Sequence, residues 1–252
     1  MKLFLPKNIF SSIFASVIPC NSEIEIVYKE SAMLCGQLDS DTSAVALVPS
    51  LELINHRSLF VSKSLAFSFD GILSNSYLSF IEKEKNISEI KFRGDVSINE
   101  IILTKILFSE RYSTEIEISL DPAKEKCIDK NYIIVGDENF YSGEYSKSIS
   151  FADQIAELID LPYVNYVFVS KDIESLKKFN SLFSNIDSQI EDNHLPVLSK
   201  LQYGDEINNF VSENIGSVYF EMTQNEVNAL NELIRLAYYH GIIEDIFDIR
   251  FI

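Results

Sequence analysis

Apolar and polar positions along the chain fall into short blocks whose period keeps changing. Lys2–Leu5 reads as a strand running into a helix that Asn8 caps. Glu23–Tyr28 alternates polar and apolar, as a half-buried strand does. Ala44–Val48 is a continuous apolar run, the mark of a strand covered on both faces, and Pro49-Ser50 then starts a helix. Leu59–Val61, Leu65–Phe67 and Tyr77–Ile81 read as further short strands, with an Asp70-Gly71 turn between them and the charged stretch Glu82–Lys85 after. The pattern restarts with a strand at Ile90–Phe92 and a helix over Ser97–Phe108, apolar at 98, 101, 102, 103, 106 and 107. Strands at Ile116–Leu120 and Tyr132–Val135, a Gly136-Asp137 strand-to-helix turn, a helix over Phe151–Ile159 and a strand over Tyr163–Val169 follow. Beyond Ser170 the chain is mostly helical, and Thr223-x-x-Glu226 is a capping box opening a helix to about His240.

Alternating strands and helices define an α/β chain with largely parallel sheets. Two such runs predict two lobes: lobe I over 1–80, completed by the helical segment 171–252, and lobe II over 86–169. With 252 residues, 46% apolar and 12% aromatic, the chain buries a sizeable core without a disulfide or metal staple. It holds 21 Lys and Arg against 38 Asp and Glu, a net charge of −17, which argues against nucleic acid and anionic membranes as partners. The stretch 179–252 carries three basic and twelve acidic residues, a solvated acidic face. No apolar run reaches the ~18 residues of a membrane span.

Three scattered cysteines (Cys20, Cys35, Cys127) form no CxxC and point to a reducing compartment. His56, His194 and His240 lie far apart, so no metal site is expected. Ile9–Ile18 followed by Cys20 loosely resembles a lipoprotein signal, but Pro6, Lys7, Asn8 and Pro19 break that layout, and a cytoplasmic location is expected. Only 8 glycines are present, with no GxGxxG, GxxxxGK[ST] or GxSxG, so nucleotide cofactors and a serine-elbow hydrolase are poor fits. What remains is a set of turns at strand ends: Lys7-Asn8, Pro49-Ser50, Asp70 to Ser76, Ser97 to Asn99 and Gly136-Asp137. Ser and Asn there are ordinary caps; their recurrence in both lobes gives them a second meaning. Together with free N–H groups at helix starts they can hold a carboxylate without Lys or Arg.

The segment VALVPSLEL over 45–53, after Ala44, and LAFSFDGILSNSYLSF over 65–80 resemble the chorismate dehydratases of the futalosine-type menaquinone pathway. Ser97-Ile98-Asn99-Glu100, Gly136-Asp137-Glu138 and Asp160-Leu161-Pro162-Tyr163-Val164 continue the resemblance in order, to about residue 169. The chain departs from the family where Phe69 stands for a Ser, Ile72 for a Pro, and Asn99 and Glu100 for Thr or Ser. The resemblance implies a two-lobed type II periplasmic-binding-protein-like fold. It also implies a lyase that removes water from chorismate, a small dianionic carboxylate, to give the enolpyruvyl-oxy benzoate without metal or cofactor. On that reading Asn8 is the expected catalytic group, and Ser50, Ser68, Asn75, Ser76, Ser97, Asn99 and Asp137 are the expected substrate-binding residues. Asp137 is expected chiefly as a helix cap, and Glu100 is expected to turn away from the cleft. The alternatives are a binding protein of the same fold for a small carboxylate, which does no chemistry, and a diverged chain whose cleft is a protein-docking surface.

Overall fold

Two separate sheets divide the chain. A computed structural model describes residues 1–81, 84, 87–123, 129–201 and 203–252; Glu82, Lys83 and Lys85 of the charged stretch, the expected start of lobe II at Asn86, and Cys127 lie outside the described residues. The first part runs β1 (Lys2–Pro6), α1 (Ile9–Ser16), β2 (Glu25–Lys29), α2 (Leu34–Ser40), β3 (Val45–Pro49), a 3-10 turn (Ser50–Ile54) and β4 (Phe60–Phe69). The chain then crosses over through residues 70–75 to β5 (Ser76–Ser79), β6 (Glu89–Gly94), α3 (Ile98–Tyr112), β7 (Glu117–Leu120), β8 (Tyr132–Val135), α4 (Glu138–Ser142), β9 (Ile149–Ser150) and α5 (Phe151–Ile159). It returns through residues 160–162 to β10 (Tyr163–Ser170), followed by α6 (Ile173–Asn180), α7 (Ile186–Lys200), α8 (Asp205–Asn214), β11 (Val218–Glu221), α9 (Gln224–Tyr239) and β12 (Arg250–Phe251).

The first sheet has the order β11-β4-β10-β3-β1-β2, with β12 beside β4; the second has the order β7-β6-β8-β5-β9. This moves the expected lobe boundaries. β5 pairs with β8 and β9 and belongs to lobe II, while β10 lies between β3 and β4, antiparallel to both, and belongs to lobe I. Alternation along the chain cannot tell which sheet a strand joins. All eight residues of β10 are buried, which suits a strand with neighbours on both sides and both faces covered. The two short strands expected at 59–67 are one strand, β4, whose pairing with β10 shifts register twice.

Both faces of the lobe I sheet are covered. On one, α1 inserts Phe10 against Phe69 and Phe14 against Phe168, each with ring centroids 4.9 Å apart. Burying one such ring stabilises the fold by about 1.5–3 kcal/mol. On the other face, Leu34 and Leu38 of α2 and Leu230 of α9 pack in one cluster with Val48 and Val164. Among the described residues, no helix is long and apolar enough to cross a membrane.

Two glycines aim lobe II at lobe I. Gly94 ends β6 at φ +84, where a Cβ would sit 2.0 Å from the Val135 carbonyl oxygen, so no L side chain fits. Gly136 ends the neighbouring β8 at φ +79, and its N–H donates to the Asn75 carbonyl in the crossover at 2.7 Å.

Candidate functional site

The carboxyl ends of β1, β2 and β3 in lobe I face those of β6 and β8 in lobe II. Strand ends of this kind leave free N–H groups where the next helix or turn begins. Three of them in lobe I are occupied, each by an acceptor from lobe II. Ile9 N–H donates to Asp137 Oδ1 at 2.9 Å. Ser31 donates to Asp95 twice, from its N–H at 2.8 Å and its hydroxyl at 2.6 Å. Leu51 N–H donates to Asn99 Oδ1 at 2.9 Å.

The Asn99 side chain spans the two lobes. It is fully buried, and its Nδ2 lies within reach of Ser50 Oγ (3.2 Å), Tyr163 OH (3.2 Å), Asn165 O (2.7 Å) and Asn165 Oδ1 (3.1 Å). Beside it, Asn75 Nδ2 donates to Tyr166 OH at 3.2 Å, and Tyr166 OH lies 2.9 Å from Ser31 Oγ. The Tyr203 hydroxyl closes the other end by donating to Asp137 Oδ2 at 2.6 Å. The crevice is therefore a layer of polar side chains held shut by its own hydrogen bonds.

Its electrostatics are acidic. Burial pushes the carboxyls of Asp95 and Asp137 up, against the hydrogen bonds from Ser31 to Asp95 and from Tyr203 and Ile9 to Asp137. Burial raises Glu100 to about 7, with Ser97 opposing and the Asp95 charge adding. Tyr163 and Tyr166 are held well above the ordinary phenol range, first by burial and then by the Glu100 charge. Glu100 Oε2 accepts from the Ser97 N–H at 3.0 Å and the Ser97 hydroxyl at 2.6 Å, while Oε1 is buried without a partner. Other buried, unpartnered atoms at or beside the same crevice are Asn8 Nδ2, Asn75 Oδ1 and Asn139 Oδ1. Buried polar atoms are nearly always paired, so orphans gathered at one place mark a site.

The expected residues are distributed as follows. Asn8 caps α1, accepting from Ser11 N–H at 2.8 Å, one residue before the Ile9–Asp137 bond. Ser50, Asn75, Ser97, Asn99 and Asp137 join it in the crevice. Ser68 and Ser76 do not join the network. Ser68 alternates with Phe67 and Phe69 on β4, so its side chain faces away from their rings, and its hydroxyl has no partner; the Ser76 hydroxyl, at the start of β5, has none either. Two expectations are corrected. Asp137 does not cap its own helix; its carboxylate caps α1 of the other lobe. Glu100, expected to turn away from the cleft, is fully buried beside it: the capping box of α3 folds its carboxylate back onto Ser97, where its charge reaches Asp95, Tyr163 and Tyr166.

Sequence reasoning missed Ser31, Asp95, Tyr163, Asn165, Tyr166 and Tyr203. Two signals were available. Gly94-Asp95 repeats the Gly136-Asp137 dipeptide at the end of a neighbouring strand, and β10 carries polar groups in a stretch buried on both faces. A depression of about 460 Å³ lined by Phe140, Tyr141 and Tyr203 opens beside Asp137. Among the described residues, no His or Cys takes part in the hydrogen bonds of the crevice. Among the described residues, the one grouping of three metal-ligating side chains lies elsewhere.

No protein-family model matches this chain, and no curated protein does. Solved structures do. Protein AF1704 from Archaeoglobus fulgidus is 12% identical, with a TM-score of 0.63 over 96% of this chain and 98% of that one. The alkanesulfonate-binding protein SsuA from Xanthomonas axonopodis pv. citri, bound to MOPS, is 9% identical, with a TM-score of 0.59 over 96% and 93%. The Candida albicans CA3427 gene product, described as having the generic periplasmic binding protein fold, is 11% identical, with a TM-score of 0.54 over 97% and 91%. At such identities the likeness establishes the fold: this is a two-lobed α/β chain of the periplasmic-binding-protein kind.

Proposed function

We propose that this protein binds a small carboxylate between its lobes, and that the ligand takes the places now held by Asp95 and Asp137. One observation carries this reading. The lobe I strand ends already grip two carboxylates with N–H and hydroxyl donors; among the described residues no Lys or Arg hydrogen bond to either is seen, and the Lys7 charge acts on Asp137 only as a minor influence. A guest with similar groups meets the same donors once the lobes part at the crossovers 70–75 and 160–162. Exchange also relieves a cost, since both aspartates are buried and pushed up. The alkanesulfonate-binding neighbour offers a parallel in the same fold, an anionic ligand class.

A second reading is the lyase implied by the resemblance, with chorismate as substrate. It is favoured by Asn8, the catalytic group the resemblance implies, whose buried Nδ2 has no partner at the crevice. Glu100 weighs against it: the resemblance implies Thr or Ser there, and a carboxylate in that place repels a dianion.

The test is thermal shift and calorimetry with a panel of mono- and dicarboxylates, chorismate included, on the native protein and on Asp137→Asn. Binding by a carboxylate, tightened about tenfold in Asp137→Asn because the internal competitor loses its charge, is the expected result. No carboxylate binding by either protein overturns the proposal. Aromatic product from chorismate, lost in Asn8→Ala far beyond any loss of stability, selects the lyase; binding without product selects the binding protein.

A further inference from the structure

Far apart in sequence, Cys35 on α2 and the Glu52–His56 turn after β3 come together on lobe I, away from the crevice. The Cys35 thiol, the Glu52 carboxylate and the His56 imidazole place one ligand atom each within 4.8 Å of one another. His56 Nε2 is already 3.7 Å from Glu52 Oε2. We propose that these three side chains form a site for a thiophilic divalent cation of the zinc class.

The donor set selects the ion. A thiolate and an imidazole suit zinc and its neighbours, whereas magnesium and calcium take oxygen ligands. The charges also balance: a thiolate, a carboxylate and a neutral imidazole cancel a dication, so a half-buried site is left with no net charge. Zinc bonds of about 2.0–2.3 Å set ligand atoms roughly 3.3–3.8 Å apart, so closing the site asks for about 1 Å of side-chain movement. That movement falls to Glu52 and His56, because Cys35 is buried in the core layer under α2.

The backbone is prepared for it. The His56 N–H donates to the Glu52 carbonyl at 3.1 Å, and the His56 carbonyl accepts from Leu59 N–H at 3.1 Å, so both sides of the ligand are fixed. Three protein ligands leave one position to water on the side where the His56 side chain is 42% exposed. The same turn carries Ser50 and Leu51 into the crevice, so a bound ion holds the lobe I donors in place from behind.

Cobalt(II) titration of the intact protein provides the test. The expected result is one equivalent of ion with a thiolate-to-cobalt charge-transfer band that zinc displaces. The band survives in the Cys20→Ser/Cys127→Ser double variant and disappears in Cys35→Ser. Because Cys35→Ser touches the core, His56→Ala is the second arm: it weakens zinc binding by about tenfold or more while circular dichroism stays native. A band that persists without Cys35, a zinc affinity unchanged in His56→Ala, or no cobalt binding at all overturns the proposal.

Discussion

The two rims of the crevice differ in what they offer at the strand ends. Lobe I presents donors, most of them backbone N–H groups at Ile9, Ser31 and Leu51; lobe II presents side-chain acceptors at Asp95, Asn99 and Asp137. Donors of the first kind come with the fold, because every strand leading into a helix or turn leaves free N–H groups. Acceptors of the second kind are chosen residue by residue. The lobe I rim therefore belongs to the architecture, and the lobe II rim is where this particular protein is defined. Substitutions should follow that division: those in lobe II change closure most, and those in lobe I remove one cap and one donor to a guest at a time.

The largest effect is expected at Asn99. Replacing it with leucine leaves the Leu51 N–H without its acceptor and strips a donor from Ser50, Tyr163 and Asn165, all buried. Several unmet polar groups at once cost on the order of 3–5 kcal/mol, read from urea denaturation. Ser50→Ala removes one of those bonds and costs about 1 kcal/mol. Equal costs for the two would mean that the lobe II side does not dominate closure.

Next comes Glu100→Gln, which keeps the capping box of α3 and removes the charge. The folded carboxyl titrates near 7 against an ordinary 4.5, so the folded state binds the proton more tightly than the unfolded chain does. Its contribution is fully present below pH 4.5 and is lost as pH rises to about 7. Native minus variant stability should therefore fall by on the order of 3 kcal/mol across that window and be flat above it. A flat difference throughout would place the Glu100 carboxyl in water.

How much of this was legible follows the same division. The α/β class, the caps at Asn8, Ser97 and Thr223 and the buried strand β3 follow from local patterns, because each is decided by neighbours within a turn or two. The donor-bearing turns at Asn8 and Ser50 are local in the same way. The membership of β5 and β10 is not, since a crossover between sheets leaves no periodicity behind. Nor is the pairing of Asp137 with Ile9, which are 128 residues apart. Asp137 looked like a cap and is one, but for a helix the sequence gives no means of choosing. Ser97-x-x-Glu100 has the same capping-box spacing as Thr223-x-x-Glu226 but was not read as one, and the box pulls the Glu100 carboxylate inward.

The smallest effect is expected at Ser68, and it tests where the site ends. Ser68 lies on β4 with Phe67 and Phe69 facing the opposite way, fully buried, and its hydroxyl has no partner. Removing an unmet buried hydroxyl does not break a bond, so Ser68→Ala should hold or raise stability by roughly 0–1 kcal/mol. Carboxylate affinity, measured by calorimetry beside Ser50→Ala, should not move, because no contact carries Ser68 to the facing strand ends. A loss of affinity matching that of Ser50→Ala would mean that a ligand reaches the sheet at β4. The contrast between an architectural rim and a chosen rim would then no longer bound the site.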